Sequence, residues 1–318
     1  MLRVLMIVAL TVLAGIGAAQ AYPDRPLRII VGFSPGGPAD TSARVAAKIL
    51  EEALGKGAIV ENRTGAGGRL ATDFVAASAP DGHTFLLSAF ADILNPIINK
   101  DIAHKLEDQF TQVALITGVA NMLVVTPSLP INNVADFIAL AKQKPGTLNY
   151  GSAGVGSASH LAGALLVGLA GIDIVHIPYK GTAQAQLDLL AGRLPFMFDS
   201  MVSARENVDA GKLRALAVTT TVRSPVASDV PTMAEAGVAE FDLTSWFGLS
   251  APKGTPHVVI KRVSDALRAG LKTKGAREAL LKFGGEPADL TPEEFAMFVR
   301  AESRRWQGLF EKSVVRLQ

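Results

Sequence analysis

RPLRIIVGFSPGGPADTSAR, from Arg25 to Arg44, reads as strand, turn and helix in succession. Leu27–Val31 is nearly all apolar, the pattern of a strand covered on both faces in a parallel sheet. Pro35, Gly36, Gly37 and Pro38 stop it. Ala39-Asp40-Thr41-Ser42 then offers N-cap oxygens to a helix expected over 43–54, with Asp40 as the expected cap. A glycine turn feeding a helix start presents unpaired backbone N–H groups at the positive end of the helix dipole. Such a start suits a carboxylate or a phosphate.

Strands and helices alternate along most of the chain, which implies an α/β fold with mostly parallel sheets. After the first unit come a short strand at 58–61, the turn Asn62-Arg63-Thr64-Gly65-Ala66-Gly67-Gly68, a helix through Phe74, and a strand at 84–88. Apolar runs follow at 113–116 and 122–126. A second, similar series starts near Val134, with a strand around 148–150 and the loop Gly151-Ser152-Ala153-Gly154-Val155-Gly156-Ser157. A helix at 159–169 and strands at 174–177, 195–198 and 213–218 complete it. Both halves thus carry a strand, a Gly/Ser loop and a helix start, as two lobes of related build facing across a cleft would. From Pro256 the chain becomes helical, and apolar spacings of three and four recur over 264–271 and 292–310. Helices that pack back on the first lobe make that lobe discontinuous. The partition expected is 22–121 and 249–318 for lobe 1 and 122–248 for lobe 2, with crossings near Ala120 to Thr126 and Trp246 to Ala251.

Residues 1–21 read as a cleavable signal peptide: a positive start at Arg3, an uncharged apolar run, and Ala19-Gln20-Ala21 before Tyr22. Export to the periplasm is therefore expected. The chain of 318 residues holds no cysteine, so thiol catalysis, thiolate metal sites, disulfides and a lipid-bearing cysteine are all excluded. A formal net charge of +2 without basic runs gives no footprint for nucleic acid or anionic membranes.

Gly32-Phe33-Ser34-Pro35-Gly36 matches the G-x-S-x-G elbow of a serine hydrolase, and this is the enzymatic alternative. The residue after such a serine must donate its N–H to an oxyanion, and Pro35 has none. Gly154-Val155-Gly156-Ser157-Ala158-Ser159 carries half of a dinucleotide fingerprint, but Ser159 replaces the third glycine and Asp173 precedes its strand. Two readings remain for that loop: a second anion cradle with Ser157 and Ser159 as hydroxyl donors and caps, or a plain loop with a capped helix. The five histidines form neither an i, i+4 pair nor H-x-H, so no metal and no cofactor is expected. His160 sits in the first turn of the second helix, as a ligand contact or as a cap. Asp199 ends the apolar strand Phe196-Met197-Phe198, where it either meets a ligand or caps.

Taken with VENRTGAGG, PDGHTFLLS, NYGSAGVGSASHLAG, IPYKGTAQAQLDLLAGRLPFMFDS, GKLRALAVTT, VPTMAEAG, SWFGLSAPKGTP and TPEEF, the chain resembles the Bug family, the extracytoplasmic receptors of tripartite tricarboxylate transporters. The resemblance covers nearly the whole chain after residue 21. It implies a two-lobed Venus-flytrap binding protein, type II-like, that is not an enzyme. It also implies a monomer that closes on a small organic acid, a di- or tricarboxylate, and passes it to a membrane permease. A sensory receptor that signals to a membrane partner is the alternative use of the same capture.

Carried over by position, the ligand residues are Phe33, Gly37, Pro38, Ala39 and Asp40 in the first loop and Ser152, Gly156, Ser157 and His160 in the second. Ser88, Ala89, Tyr179 and Asp199 complete the set. In similar receptors one ligand carboxylate is held from the first-lobe side by backbone groups and bridging waters. The chain departs from the family pattern at Ala164, where a Glu is common, at His104-Lys105-Leu106-Glu107-Asp108, and at Ala89-Phe90-Ala91-Asp92. Phe90 is expected to line an apolar part of the pocket, which would admit aromatic or longer dicarboxylates.

Overall fold

The structure is a computed structural model that describes residues 22–99, 102, 105–179, 181–312 and 314–315. The expected signal peptide and His104 lie outside the described residues. In chain order the elements are β1 Leu27–Val31, α1 Pro38–Leu54, β2 Ala58–Asn62, α2 Arg69–Ala76, β3 Thr84–Ala89, α3 Phe90–Ile98, the single turn α4 Leu106–Gln109, and β4 Phe110–Val125. The second half follows with α5 Val134–Gln143, β5 Asn149–Ser152, α6 Ala158–Ala170, β6 Val175–Pro178, α7 Thr182–Leu190, β7 Phe196–Ser200, α8 Met201–Asp209 and β8 Arg214–Val218. The chain then returns through β9 Thr244–Pro252 and ends with α9 His257–Leu271, α10 Lys274–Leu281, β10 Gly285–Pro287 and α11 Pro292–Glu311.

The two lobes share one strand. The two apolar runs expected near 113–116 and 122–126 are parts of the 16-residue β4. Through Ala120 it pairs with β9, and from Asn121 onward with β7, with β8 joining from Met122. The polar residues Thr117, Gly118 and Asn121, which broke the apolar pattern, lie at this change of partner. Away from β4 and β9 the pairings are parallel, β2–β1–β3 in one lobe and β6–β5–β7 in the other. Every pairing made by β4 or β9 is antiparallel, so the sheets are mixed and not mostly parallel. The reason is geometric. A strand that leaves one lobe and a strand that returns beside it must run in opposite directions.

Register fixes where the strand ends meet. Ala89 at the end of β3 pairs with Phe247, and Phe247 with Thr117. Ser200 at the end of β7 pairs with Asn121. Only four residues of β4 separate these levels, about 13 Å at the usual rise of a strand. The carboxyl ends of β1 and β3 in one lobe and of β5 and β7 in the other therefore converge on the same short stretch, which is where open α/β sheets bind ligands.

Helix α11 ties the lobes from behind. Phe295, Val299 and Trp306 on one of its faces are fully buried, and Trp306 meets the edge of Phe90 at 5.1 Å between ring centroids. Trp246 of β9 sits edge-on to Phe295 at 5.7 Å. Arg305 reaches the Asp242 carbonyl, just before the chain re-enters the first lobe. Beyond the helix, Val314 lies against α6 so closely that a Cβ on Gly168 would fall 1.7 Å from its carbonyl oxygen. Phe90 thus belongs to this core and does not face the cleft, so the expectation of an apolar pocket lined by it is withdrawn. We expect Trp306→Ala to lower the unfolding free energy by about 3–5 kcal/mol in urea titration, the usual cost of emptying a buried indole site.

Candidate functional site

Helix α1 starts earlier than the sequence implied. Gly37 is its N-cap and Pro38 its first residue, where a missing N–H costs nothing because that group would have no helical partner. Asp40 is therefore not the cap but the third residue of the first turn. From there its carboxylate turns back and accepts the Gly36 N–H at 3.0 Å, Arg44 at 2.7 and 3.1 Å, and the Asn62 amide at 3.0 Å. The same Asn62 nitrogen donates to the Phe33 carbonyl at 2.9 Å. Burial pushes the Asp40 carboxyl up, but hydrogen bonds from Arg44, Gly36 and Asn62 outweigh it and hold it below the usual range. Gly36 sits at φ +84°, a conformation that suits glycine.

The second loop repeats this construction with different chemistry. Ser157 is the N-cap of α6 and accepts the His160 N–H at 3.3 Å. His160, again the third helical residue, turns back so that its Nδ1 accepts the Gly156 N–H at 3.0 Å. Gly156 has φ +79°, matching Gly36. The hydroxyls of Ser157 and Ser159 serve the loop itself: Ser157 Oγ donates to the Gly154 carbonyl at 2.7 Å, and Ser159 Oγ accepts the Ala153 N–H at 3.0 Å. Ser152 is fully buried and meets the His176 Nε2 at 2.6 Å. In both loops the helix N–H groups left without a helical partner, at Ala39 and Asp40 and at Ala158 and Ser159, belong to the two residues following the first-turn start or beginning it. These are the groups that can meet an anion.

The other expected residues take mixed places. Ser88 is fully buried inside the sheet, bonded to the Gly248 carbonyl at 3.1 Å and Ser250 Oγ at 2.8 Å, so its hydroxyl serves β9. Ala89 caps α3, and its N–H donates to Asp92 at 2.7 Å. The Tyr179 hydroxyl donates to Asp188 at 2.6 Å, and Asp188 also pairs with Arg193. Burial and this bond push the Tyr179 phenol up to about 12. Asp199 stands at the carboxyl end of β7, fully buried, accepting the Ser200 N–H at 2.7 Å and the Gln186 amide at 2.8 Å. Burial raises its carboxyl to about 6 against those bonds. Asn62, Arg44 and His176 were not singled out from the sequence. Asn62 had a visible signal, as the polar end of a short strand before a glycine turn.

Ser34 is exposed and is followed by Pro35, so no N–H stands where an oxyanion hole needs one. Among the described residues no group of three His, Asp or Glu side chains is placed to hold a metal ion. None of their helices is long and apolar enough to cross a membrane.

Over residues 42–315 the chain matches the sequence model of the tripartite tricarboxylate transporter family receptors. It is similar to the solved structure of Rpa4515 from R. palustris with adipate, at 34% identity and TM-score 0.81, covering 92% of this chain and 99% of that one. The periplasmic binding protein BugD is similar at 34% identity and TM-score 0.79, covering 93% and 100%. MatC from Rhodopseudomonas palustris with bound malate is similar at 32% identity and TM-score 0.78, covering 91% and 99%.

Asp199 generates a pH test. Its folded carboxyl, raised to about 6, holds a proton better than the unfolded one, so its contribution to stability is complete below about pH 4 and is lost as pH rises through 6. Asp92, buried and also raised to about 6 by desolvation, has the same sign. Asp199→Asn should remove part of the fall in melting temperature between pH 4 and 7 and leave the part due to Asp92, as read by calorimetry.

Proposed function

The chain belongs to the tripartite tricarboxylate transporter receptor family, and from that premise we propose a periplasmic receptor that closes two lobes on a small dicarboxylate and hands it to a membrane permease of that transporter type. In this reading lobe 1 comprises residues 22–120 and the chain from 244 onward, and lobe 2 residues 121–243. The return expected at 249 moves to Thr244 because β9 pairs with first-lobe strands from its first residue, and Asn121 already pairs with β7. The protein acts as a binding protein, not as an enzyme.

The observation that carries this reading is the matched pair of loops. Each has a glycine with positive φ before the helix, a first-turn side chain tying that glycine's N–H, and further N–H groups left for an anion. Each loop suits one carboxylate, so two loops on two lobes suit a dicarboxylate held by both ends. Support for this class comes from the relatives with adipate and malate. With Phe90 in the core, the argument it offered for an aromatic acid falls away. Ligand residues in this reading are Phe33, Gly37, Pro38 and Ala39 on one side and Gly156 and Ser157 on the other, with Tyr179 at the rim. Asp40, His160, Ser88, Ala89, Ser152 and Asp199 hold the frame.

Closure follows from differential contact. An anion touching one loop gains the same in the open and closed forms, whereas one that bridges both gains only when they approach. The ligand thus biases a hinge that already moves, and the bend falls where β4 changes partners.

A thermal-shift screen tests the class. At a hundred times its dissociation constant a dicarboxylate such as malate or adipate should add about 2.7 kcal/mol, several degrees in melting temperature at this size. The corresponding diamides should add nothing. A screen in which no carboxylate shifts the melting temperature removes the reading. Asp40→Ala should raise the dissociation constant about tenfold, roughly 1.4 kcal/mol, by freeing Gly36. Ser34→Ala should leave binding unchanged; loss of binding with it would revive the hydrolase alternative.

A further inference from the structure

The first loop is tied by a carboxylate, which can only accept. The second is tied by an imidazole, which accepts only when its Nδ1 carries no proton. His160 is 1% exposed and lies flat on His176, with ring centroids 3.8 Å apart and planes 10° apart. His176 in turn tilts against Tyr150 at 5.0 Å, and Tyr150 stacks on Phe196 at 5.8 Å. This pile of rings runs from the lobe 2 core up to the loop.

We propose that His160 is a positioning residue of the second loop, holding Gly156 through an unprotonated Nδ1, and that the loop keeps its shape only while both stacked imidazoles are neutral. This rests on the reading of that loop as one side of the ligand site. Two contacts fix the arrangement. The Gly156 N–H assigns the remaining ring proton of His160 to Nε2. The Tyr150 hydroxyl donates to the His160 carbonyl at 3.0 Å and pins the helix turn beneath it. Protonating Nδ1 would set two donors against each other and place a charge on a buried ring stacked on another imidazole.

Among the described residues no carboxylate is paired with the His160 ring. Of the elements packed on α6, β5 contributes Tyr150, a neutral phenol whose hydroxyl is pushed up by burial. β6 contributes His176, which burial lowers and which would repel a second charge. β7 contributes Asp199 at its end, engaged by Ser200 and Gln186. Among the described residues beyond α11, Val314 lies against Gly168 of α6. Burial, and then the charge His176 could carry, lower His160 to about 4.

The test begins on the unliganded protein, through nitrogen NMR of the histidine rings. His160 should show the Nε2–H tautomer at pH 7, with an unprotonated Nδ1 and a slowly exchanging Gly156 amide. A protonated Nδ1 at pH 7 overturns the proposal. Binding of adipate and malate is then compared for wild type, His160→Gln and His160→Leu. Glutamine at this helix position can accept the same N–H without titrating, so it should bind as wild type at pH 7.5. Leucine should bind at least tenfold more weakly and expose Gly156 to exchange. Between pH 7.5 and 3.5 the wild type should lose about fourfold more affinity than His160→Gln, from the fraction of neutral His160 alone. Protonation of the ligand is common to both proteins and cancels in that ratio. A glutamine variant that follows the wild-type pH profile, or a leucine variant that binds normally, also overturns the proposal. If neither acid binds at any pH, the proposed function falls, and the ring tautomer and the Gly156 exchange still decide the clamp.

Discussion

A single continuous strand sets the geometry of the whole molecule. β4 is a rigid ladder member in both lobes, so the lobes cannot choose their relative register independently. Once β3 is placed through β9, and β7 directly on β4, their carboxyl ends are committed to opposite sides of the stretch from Thr117 to Asn121. Everything that makes a site possible follows from that placement. Loops at carboxyl ends feed helix starts, and helix starts carry unpaired N–H groups. The partners of the same strand on the two sides of Ala120 belong to different lobes. Thr219 reinforces this point: its hydroxyl accepts the Asn121 N–H at 3.0 Å, and its carbonyl accepts the Leu243 N–H.

The two loops solve one problem twice. A helix start that is to grip an anion needs some of its N–H groups free, yet the chain entering it needs others tied. Asp40 and His160 each bind the N–H of the glycine four residues earlier and leave those nearest the helix end available. Their chemistry differs because their surroundings differ. Asp40 lies beside Arg44 and Asn62, which can neutralise and saturate an anion. His160 lies among rings and hydroxyls, with no cation bonded to it among the described residues, and a carboxylate there would be a buried charge without such a partner. A neutral imidazole offers the acceptor without the charge.

The parts of this arrangement differed in how far the sequence exposed them. The outer strands, the first helices and both loops were legible because they depend on local patterns, an apolar run cut by glycines and followed by cap residues. The continuity of β4 was not, since Thr117, Gly118 and Asn121 in its middle are not apolar and so look like a break. β9 read only as a crossing: Ser245, Gly248 and Ser250 interrupt its apolar positions because it pairs on both edges with other strands. Asp40 was assigned to the cap because N-cap chemistry favours it, whereas Gly37 holds that place and frees the carboxylate to turn back. Phe90 was placed in the cleft by its position after the third strand, and only the indole of Trp306, more than two hundred residues later, turns it into the core. Such partners are invisible to spacing.

The buried titratable groups divide into two sets whose effects on the folded state oppose one another. Asp92 and Asp199 have raised carboxyls, so they stabilise the fold in acid and lose that contribution as pH climbs through about 6. His160 and His176 are lowered, so their contribution is complete above their ordinary range, near 6.5, and is lost as pH falls below it. Across the interval in which both sets titrate, the gains and losses partly cancel. The anion-facing loop has no such balance. Asp92 is bonded to Thr72 and the Ala89 N–H in the first lobe and Asp199 to the Ser200 N–H, whereas His160 ties the second loop directly. On acidification Asp92 and Asp199 take up their protons near pH 6, whereas His160 takes up its own only near 4, so the buried carboxyls respond before the second loop does.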